Sequence, residues 1–238
     1  MNEYTRYAVF YAPAADTALA RLSAAWLGWD AQNAVATAQP RFYGVDMAQV
    51  TATPRKYGFH GTLKPPFRLA QGTTVEGLSN ALQAFCAATA PVVLDGLEVR
   101  GLGRFLALLP TGDTTGLAAL SAEVVRTFDR FRAPLNDREV ARRRPERLTD
   151  RQRTNLDLWG YPFVFEDFRF HLTLSGPRDG ADMVTLQRAA QDHFAAAIEG
   201  PFPVDALTLF GERPDGMFKV LHRYDMTGSS RDSTISTV

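Results

Sequence analysis

A single cysteine among 238 residues leaves this chain without an intrachain disulfide and without a cysteine-rich zinc site. A reducing, cytoplasmic setting is therefore the expectation. No stretch approaches the ~18 continuous apolar residues that a membrane helix requires, so no membrane partner is expected. The opening residues, Met1 to Arg6, lack a basic segment leading into an apolar run and do not read as a secretory signal. Charge of one sign is not in excess: 26 basic residues stand against 26 acidic ones. That balance argues against bulk binding to nucleic acid or to an anionic surface, while leaving room for a locally basic cleft.

What is present is the composition of a protein able to bury a core, 45% hydrophobic and 22% charged. Tyr7 to Tyr11 reads as a strand, bounded by Pro13. Residues 15 to 27 read as an amphipathic helix with Asp16 placed to cap it, and residues 28 to 54 as mostly loop. Phe59 to Phe67 reads as a strand that Pro65 and Pro66 terminate. A helix is predicted over Thr74 to Ala88, then strands over Val92 to Val99 and Arg104 to Leu109, then a helix to Phe131.

The later part repeats this order. Asp167 to Ser175 alternates as a strand, Asp182 to Ile198 reads as a helix, and Pro203 to Phe210 and Met217 to Tyr224 as a hairpin. The spacing agrees as well: Val92 lies 32 residues after His60, and Pro203 lies 32 after His171. A two-fold internal repeat of strand, helix and hairpin is expected. It implies an α+β fold, bilobal and pseudo-two-fold, with antiparallel sheets facing a central groove and helices outside. One bilobal domain is expected over residues 1–226, with an irregular, disordered tail over 227–238. The connector from Asp137 to Arg153 carries seven arginines against four acids. It reads as a solvated helical segment, with a phosphate-facing rim as the alternative.

Of the four histidines, two sit in matching contexts, Phe59-His60-Gly61-Thr62-Leu63 and Phe170-His171-Leu172-Thr173-Leu174. With 21 threonines in the chain, a lone His-x-Thr carries little weight. The flanking Phe and Leu in both copies, at equivalent places in the repeat, make the pair specific. Side chains alternate across a strand, so His60, Thr62 and Lys64 should share one face, as should Arg169, His171, Thr173 and Ser175. The intervening apolar residues would fix each strand to the core. Two imidazoles with pKa near 6.5 could act as proton acceptor and proton donor at one phosphorus. Thr62 and Thr173 would donate to the non-bridging oxygens, and Lys64 and Arg169 would add positive charge. Such chemistry needs neither metal nor cofactor, and no carboxylate cluster accompanies the histidines in the sequence. Tyr57 and Tyr161 are candidates for stacking on a sugar or base, and Arg55 for a substrate contact. His193, His222, the tryptophans and Cys86 read as structural.

At these residues the chain resembles the 2H phosphoesterase superfamily, named for two His-x-Thr/Ser motifs. It is most similar to the branch encoded beside phosphonate-utilisation genes. The resemblance runs from Tyr7 to about Tyr224 and rests on the segments 55–67, 159–164 and 168–174. It implies His60, Thr62, His171 and Thr173 as the catalytic set. It also implies a cyclic phosphodiester of a nucleotide or ribose phosphate as substrate, in phosphonate metabolism, with RNA ends as an alternative partner. Two further readings stay open. One is a non-catalytic module that binds a nucleotide or RNA end; the other is an enzyme that trims or joins RNA ends.

Overall fold

The computed structural model describes residues 3–178 and 180–229. The chain is α+β and its sheets are antiparallel. The first half contributes β1 (Tyr7–Tyr11), α1 (Ala18–Leu27), the two-residue strands β2 (Trp29–Asp30) and β3 (Val35–Ala36), α2 (Met47–Val50), β4 (Gly61–Phe67) and α3 (Val75–Ala88). It continues through β5 (Val92–Leu94), β6 (Gly96–Leu102), β7 (Phe105–Thr111) and α4 (Thr115–Phe128). The connector holds α5 (Asp137–Arg142) and α6 (Asp150–Trp159). Then come β8 (Leu172–Thr173), α7 (Gly180–Phe194), β9 (Phe202–Val204), β10 (Ala206–Glu212) and β11 (Phe218–Asp225).

Seven strands form one ladder in the order β11-β10-β1-β4-β8-β7-β6. The two histidine-bearing segments meet at its middle, where β4 and β8 share a single pair, Gly61 with Leu172. The equivalent segments β5 and β9 also pair with each other, Val93 opposite Pro203. Thus the order strand, helix, short strand, hairpin occurs twice, and its two copies touch through corresponding pieces.

Alternation along β1 explains how the sheet is covered. Tyr7, Val9 and Tyr11 join the larger core with Leu19 and Trp26 of α1, Leu78 and Leu82 of α3, Val124 of α4 and Phe194 of α7. The intervening Ala8 and Phe10 belong to a smaller cluster with Trp29, Phe210 and Phe218, so the helices lie on one face and this cluster on the other. In α3 the stripe Leu78, Leu82 and Cys86 is buried, and each fully buried leucine contributes about 1.5–3 kcal/mol. Thr74 caps that helix by accepting from the Gly77 N–H.

Several boundaries differ from expectation for local reasons. Thr17, not Asp16, caps α1, its hydroxyl accepting from the Ala20 N–H. Within 28–54, read as loop, lie β2, β3 and α2, all too short for periodicity to register. Pro65 and Pro66 do not end β4, which runs through them to Phe67. The strand expected over 167–175 pairs only at Leu172 and Thr173, although its apolar residues Phe170, Leu172 and Leu174 are buried as the alternation required. Of the tail expected over 227–238, the Thr227 and Gly228 N–H groups donate to the carbonyls of Cys86 and Thr89; residues 230–238 lie outside those described. Among the described residues no helix is long and apolar enough to cross a membrane.

Gly61 is the tightest point of the sheet. A Cβ built there would lie 2.3 Å from Phe170 Cε2 and 2.4 Å from its Cζ. Gly61→Ala should therefore force the Phe170 ring aside. A cost of about 1–3 kcal/mol for overpacking should lower the melting temperature by about 2–4 °C per kcal/mol. Calorimetry on the variant checks this, and an unchanged midpoint would show that the ring yields freely.

Candidate active site

His60 follows a short 3₁₀ turn over Pro54–Tyr57 and then Gly58, whose φ of 71° only glycine adopts readily. A Cβ at Gly58 would also meet Ala31 Cβ at 2.5 Å. This turn aims the Gly58 carbonyl back at the ring, and His60 Nδ1 lies 2.9 Å from that oxygen. The imidazole stacks on Phe10, centroids 3.9 Å apart and planes at 27°. Phe10 stands opposite Thr62 in the β1–β4 register, on the face away from the helices.

His171 repeats the arrangement. Its Nδ1 lies 2.7 Å from the Arg169 carbonyl, and its ring sits 5.5 Å from that of Phe105. In both motifs the imidazole is tied to the carbonyl two residues earlier. A carbonyl can only accept, so Nδ1 carries the proton in each neutral ring and Nε2 is the basic atom. Burial pulls the His60 pKa down to about 4, against the raising effect of its Gly58 bond, and the neighbouring His171 lowers it further. Burial likewise lowers His171, partly offset by the Arg169 carbonyl.

Both histidines, Thr62 and Thr173 line one cavity of about 310 Å³, with Tyr57, Tyr161, Arg6 and Arg143. Among the described residues, neither threonine hydroxyl is engaged by another protein group. A second pocket of about 460 Å³ adjoins the first through Thr62, Phe105, Tyr161 and His171, and is lined further by Leu102, Phe163, Phe168 and Arg169. Tyr57 also stacks on Phe218, centroids 5.0 Å apart. Among the described residues no group of three or more His, Cys, Asp or Glu side chains is placed to hold a metal ion.

Two expected substrate contacts are corrected. Lys64 is buried away from the cleft, its Nζ 3.0 Å from Asp129 Oδ1 and 3.4 Å from the Val125 carbonyl. The reason is a bulge: Phe10 pairs with Thr62, yet Val9 pairs with Lys64, so one extra residue reverses the parity beyond Thr62. Arg55 also turns inward. Its guanidinium donates to the Leu27 carbonyl, Gln39 Oε1 and Thr51 Oγ1, and so fastens α1 to the loop before β4. Arg169 is exposed beside the adjoining pocket rather than in the main cavity.

Arg6, Arg143 and Phe10 were not singled out from the sequence. Arg6 lies one residue before β1 and is held by Glu212, with Nε and Nη2 each 2.6 Å from a carboxylate oxygen. Arg143 belongs to the arginine-rich connector, where the alternative of a phosphate-facing rim was the only pointer to it. Its guanidinium carbon lies 4.8 Å from the Tyr161 ring centroid.

A family model described as "Protein of unknown function (DUF1045)" matches residues 62–219. The chain is 38% identical over 239 residues to a protein of Janthinobacterium sp. (strain Marseille) named ribose 1,5-bisphosphate phosphokinase PhnN, covering 97% of this chain and 53% of the relative. A protein of the same name from Laribacter hongkongensis (strain HLHK9) is 33% identical over 218 residues, covering 89% and 49%. The chain thus spans about half the length of the curated relatives it matches. Two crystal structures align at 14% identity. One is TT0787 of Thermus thermophilus, at a TM-score of 0.43 and covering 94% of this chain and 100% of that one. The other is E. coli LigT complexed with NADP+, at 0.44 and covering 95% and 99%.

The carbonyl anchors fix a tautomer that nuclear magnetic resonance can read. Long-range ¹H–¹⁵N spectra should show the Nδ1–H form at both rings. His60 should titrate at about 4 and His171 below the usual 6.5. An Nε2–H tautomer at either residue, or a His60 midpoint at 6.5 or above, would contradict the geometry.

Proposed function

The chain belongs to the family described as protein of unknown function (DUF1045), and we propose that it is a two-histidine phosphoesterase that hydrolyses a cyclic phosphodiester of a ribose phosphate. The observation that carries this reading is the matched anchorage of His60 and His171, which gives one cavity two basic Nε2 atoms and two uncommitted hydroxyls. The recurrence of strand, helix and hairpin supports reading the body as two related halves about that cleft.

The environments divide the work. His60, stacked on Phe10 and the more strongly depressed of the two, stays neutral and serves as base; His171 serves as acid. Nε2 of His60 takes a proton from water as the water oxygen bonds to phosphorus. The bond from phosphorus to the ring ester oxygen breaks, and protonated His171 delivers its Nε2 proton to that oxygen. The products are a phosphomonoester and a free hydroxyl, and the two rings regain their starting states by exchange with solvent. Thr62 and Thr173 donate to the non-bridging oxygens, where charge accumulates. The sequence requires no metal in these steps.

The substrate class draws on the relatives. They are named for phosphorylating ribose 1,5-bisphosphate, and opening a 1,2-cyclic phosphate on ribose 5-phosphate yields that compound. The chain has no G-x-x-x-x-G-K-[ST] loop: Lys56, Lys64 and Lys219 follow Arg55, Leu63 and Phe218. This supports placing a kinase step in the part of the relatives that the chain does not match. A second reading has its own observation. The adjoining pocket lined by Leu102, Phe105, Phe163 and Phe168 suits a base, and so a 2′,3′-cyclic nucleotide.

The test is a screen of 2′,3′-cyclic nucleotides and cyclic ribose phosphates with EDTA present, products followed by ³¹P NMR. Turnover should survive EDTA, and His60→Ala or His171→Ala should each lose about 10²–10⁴-fold while remaining folded. Loss of activity with EDTA and its return with a divalent ion would sink the mechanism. Ligand binding without turnover, unaffected by His60→Ala, would favour a binding module instead.

The depressed pKa values also set a pH profile. In the free enzyme kcat/KM falls on the acid side as His60 gains a proton near 4, and on the alkaline side as His171 loses its proton below 6.5. The optimum should lie on the acid side of neutrality in a constant-ionic-strength buffer series. An optimum above pH 7 would contradict the lowered pKa values of the two histidines.

A further inference from the structure

The main cavity has a cationic end, and its charge is not balanced from within. Arg6 and Arg143 both line it. Arg6 is matched by Glu212, and the charge of Arg142 also reaches Glu212, helping to lower its pKa. Close by, Arg68 is matched by Glu139. Of the two guanidinium groups in the cavity lining, Arg6 is thus neutralised by Glu212, and Arg143 is left without a matching carboxylate among the described residues.

Arg143 is therefore the group placed to meet an anion. Elsewhere in the connector Arg147 pairs with Glu146, Arg151 with Asp167 and Arg153 with Asp150. Among the described residues no carboxylate pairs with Arg143. It follows α5 directly, at the helix's C-cap, and turns inward so that its guanidinium lies over the Tyr161 ring. That aromatic face orients the plane while leaving its N–H edges available. A planar fork of donors of this kind matches the oxygens of a phosphate.

We propose that Arg143, held over Tyr161, binds a second, terminal phosphate of the substrate, so that the enzyme selects cyclic phosphodiesters that also carry a phosphomonoester. A phosphomonoester brings about two negative charges near neutrality, a group that the uncompensated Arg143 guanidinium is suited to hold. The proposal rests on the reading of the protein as a cyclic phosphodiesterase and names the group by which it would recognise its substrate. It assigns Arg143 to specificity and leaves bond cleavage to the histidines.

The experiment compares kcat/KM for ribose 1,2-cyclic phosphate with and without a 5-phosphate, in the full chain and in Arg143→Gln and Arg143→Lys. The unmodified chain should favour the 5-phosphorylated compound by about 10- to 100-fold, as a charge-assisted contact implies. Arg143→Gln should lose at least tenfold more on that compound than on its unphosphorylated counterpart, mainly through KM, and Arg143→Lys should recover part of the difference. No preference in the unmodified chain, or equal losses on both compounds, would overturn the proposal. If neither compound is turned over, the reading of a cyclic ribose phosphate as substrate fails, and titration calorimetry with ribose 5-phosphate decides the subsite separately. Binding weakened tenfold or more by Arg143→Gln upholds it; absent or unaltered binding does not.

Discussion

The two histidines share a cavity because the two halves of the sheet touch at a residue without a side chain. The Phe170 ring occupies the space that a Cβ on Gly61 would need, and Gly61 pairs with Leu172 as the only register contact between β4 and β8. Gly61 directly follows His60 and Phe170 directly precedes His171, so each catalytic candidate is one residue from the junction. Alternation then sends the imidazoles to one face while Phe170 and Leu172 enter the larger core. A larger residue at 61 would separate the strands at the one place where they determine how far apart the rings lie.

The cleft is built to hold imidazole rather than imidazolium. Aromatic faces lie against both rings, Phe10 under His60 and Phe105 beside His171, and desolvation outweighs the carbonyl bonds that favour the charged forms. On the proposed reaction, a phosphodiester would carry negative charge into this space and shift the balance back toward protonation. Substrate binding on this scheme takes up a proton, so the acid is supplied by the ligand's own field. The cationic groups sit further along the cavity, where Arg6 is held by Glu212 and Arg143 by Tyr161. They therefore raise the local potential at a distance from the two imidazoles.

How much of this was legible in the sequence depends on the range of the interaction involved. The alternation gave the correct faces from Phe170 to Ser175, since Phe170, Leu172 and Leu174 are buried while His171, Thr173 and Ser175 line the cleft, but not at Arg169, which lies outside the main cavity. The same rule failed at Lys64, because a bulge against β1 is a property of the pairing and leaves no mark in β4 alone. Arg55 sat close to the motif and looked available, but the carbonyl that binds it lies 28 residues earlier, at Leu27. The arginine-rich connector was visible as charge. That Arg143 faces inward while Arg151 and Arg153 find carboxylates outside depends on how α5 and α6 pack, which periodicity does not report. The carbonyl anchors of the histidines span only two residues, yet they too depend on backbone angles, at Gly58 above all.

The position of β1 bears on how the molecule is assembled. This first strand lies between β4 and β10, and beside it Arg6 meets Glu212, 206 residues further along. During synthesis at roughly 5–20 residues per second, β1 has one edge without a partner for about 10–40 seconds, until β10 emerges. Each half of the ladder is joined through a strand of the other, β8 lying between β4 and β7 and β1 between β10 and β4. Contacts of such sequence separation slow folding through the entropy of closing the intervening loop. The interval in which an apolar strand edge stands open is thus written into the order of the strands, independently of how stable the finished sheet is.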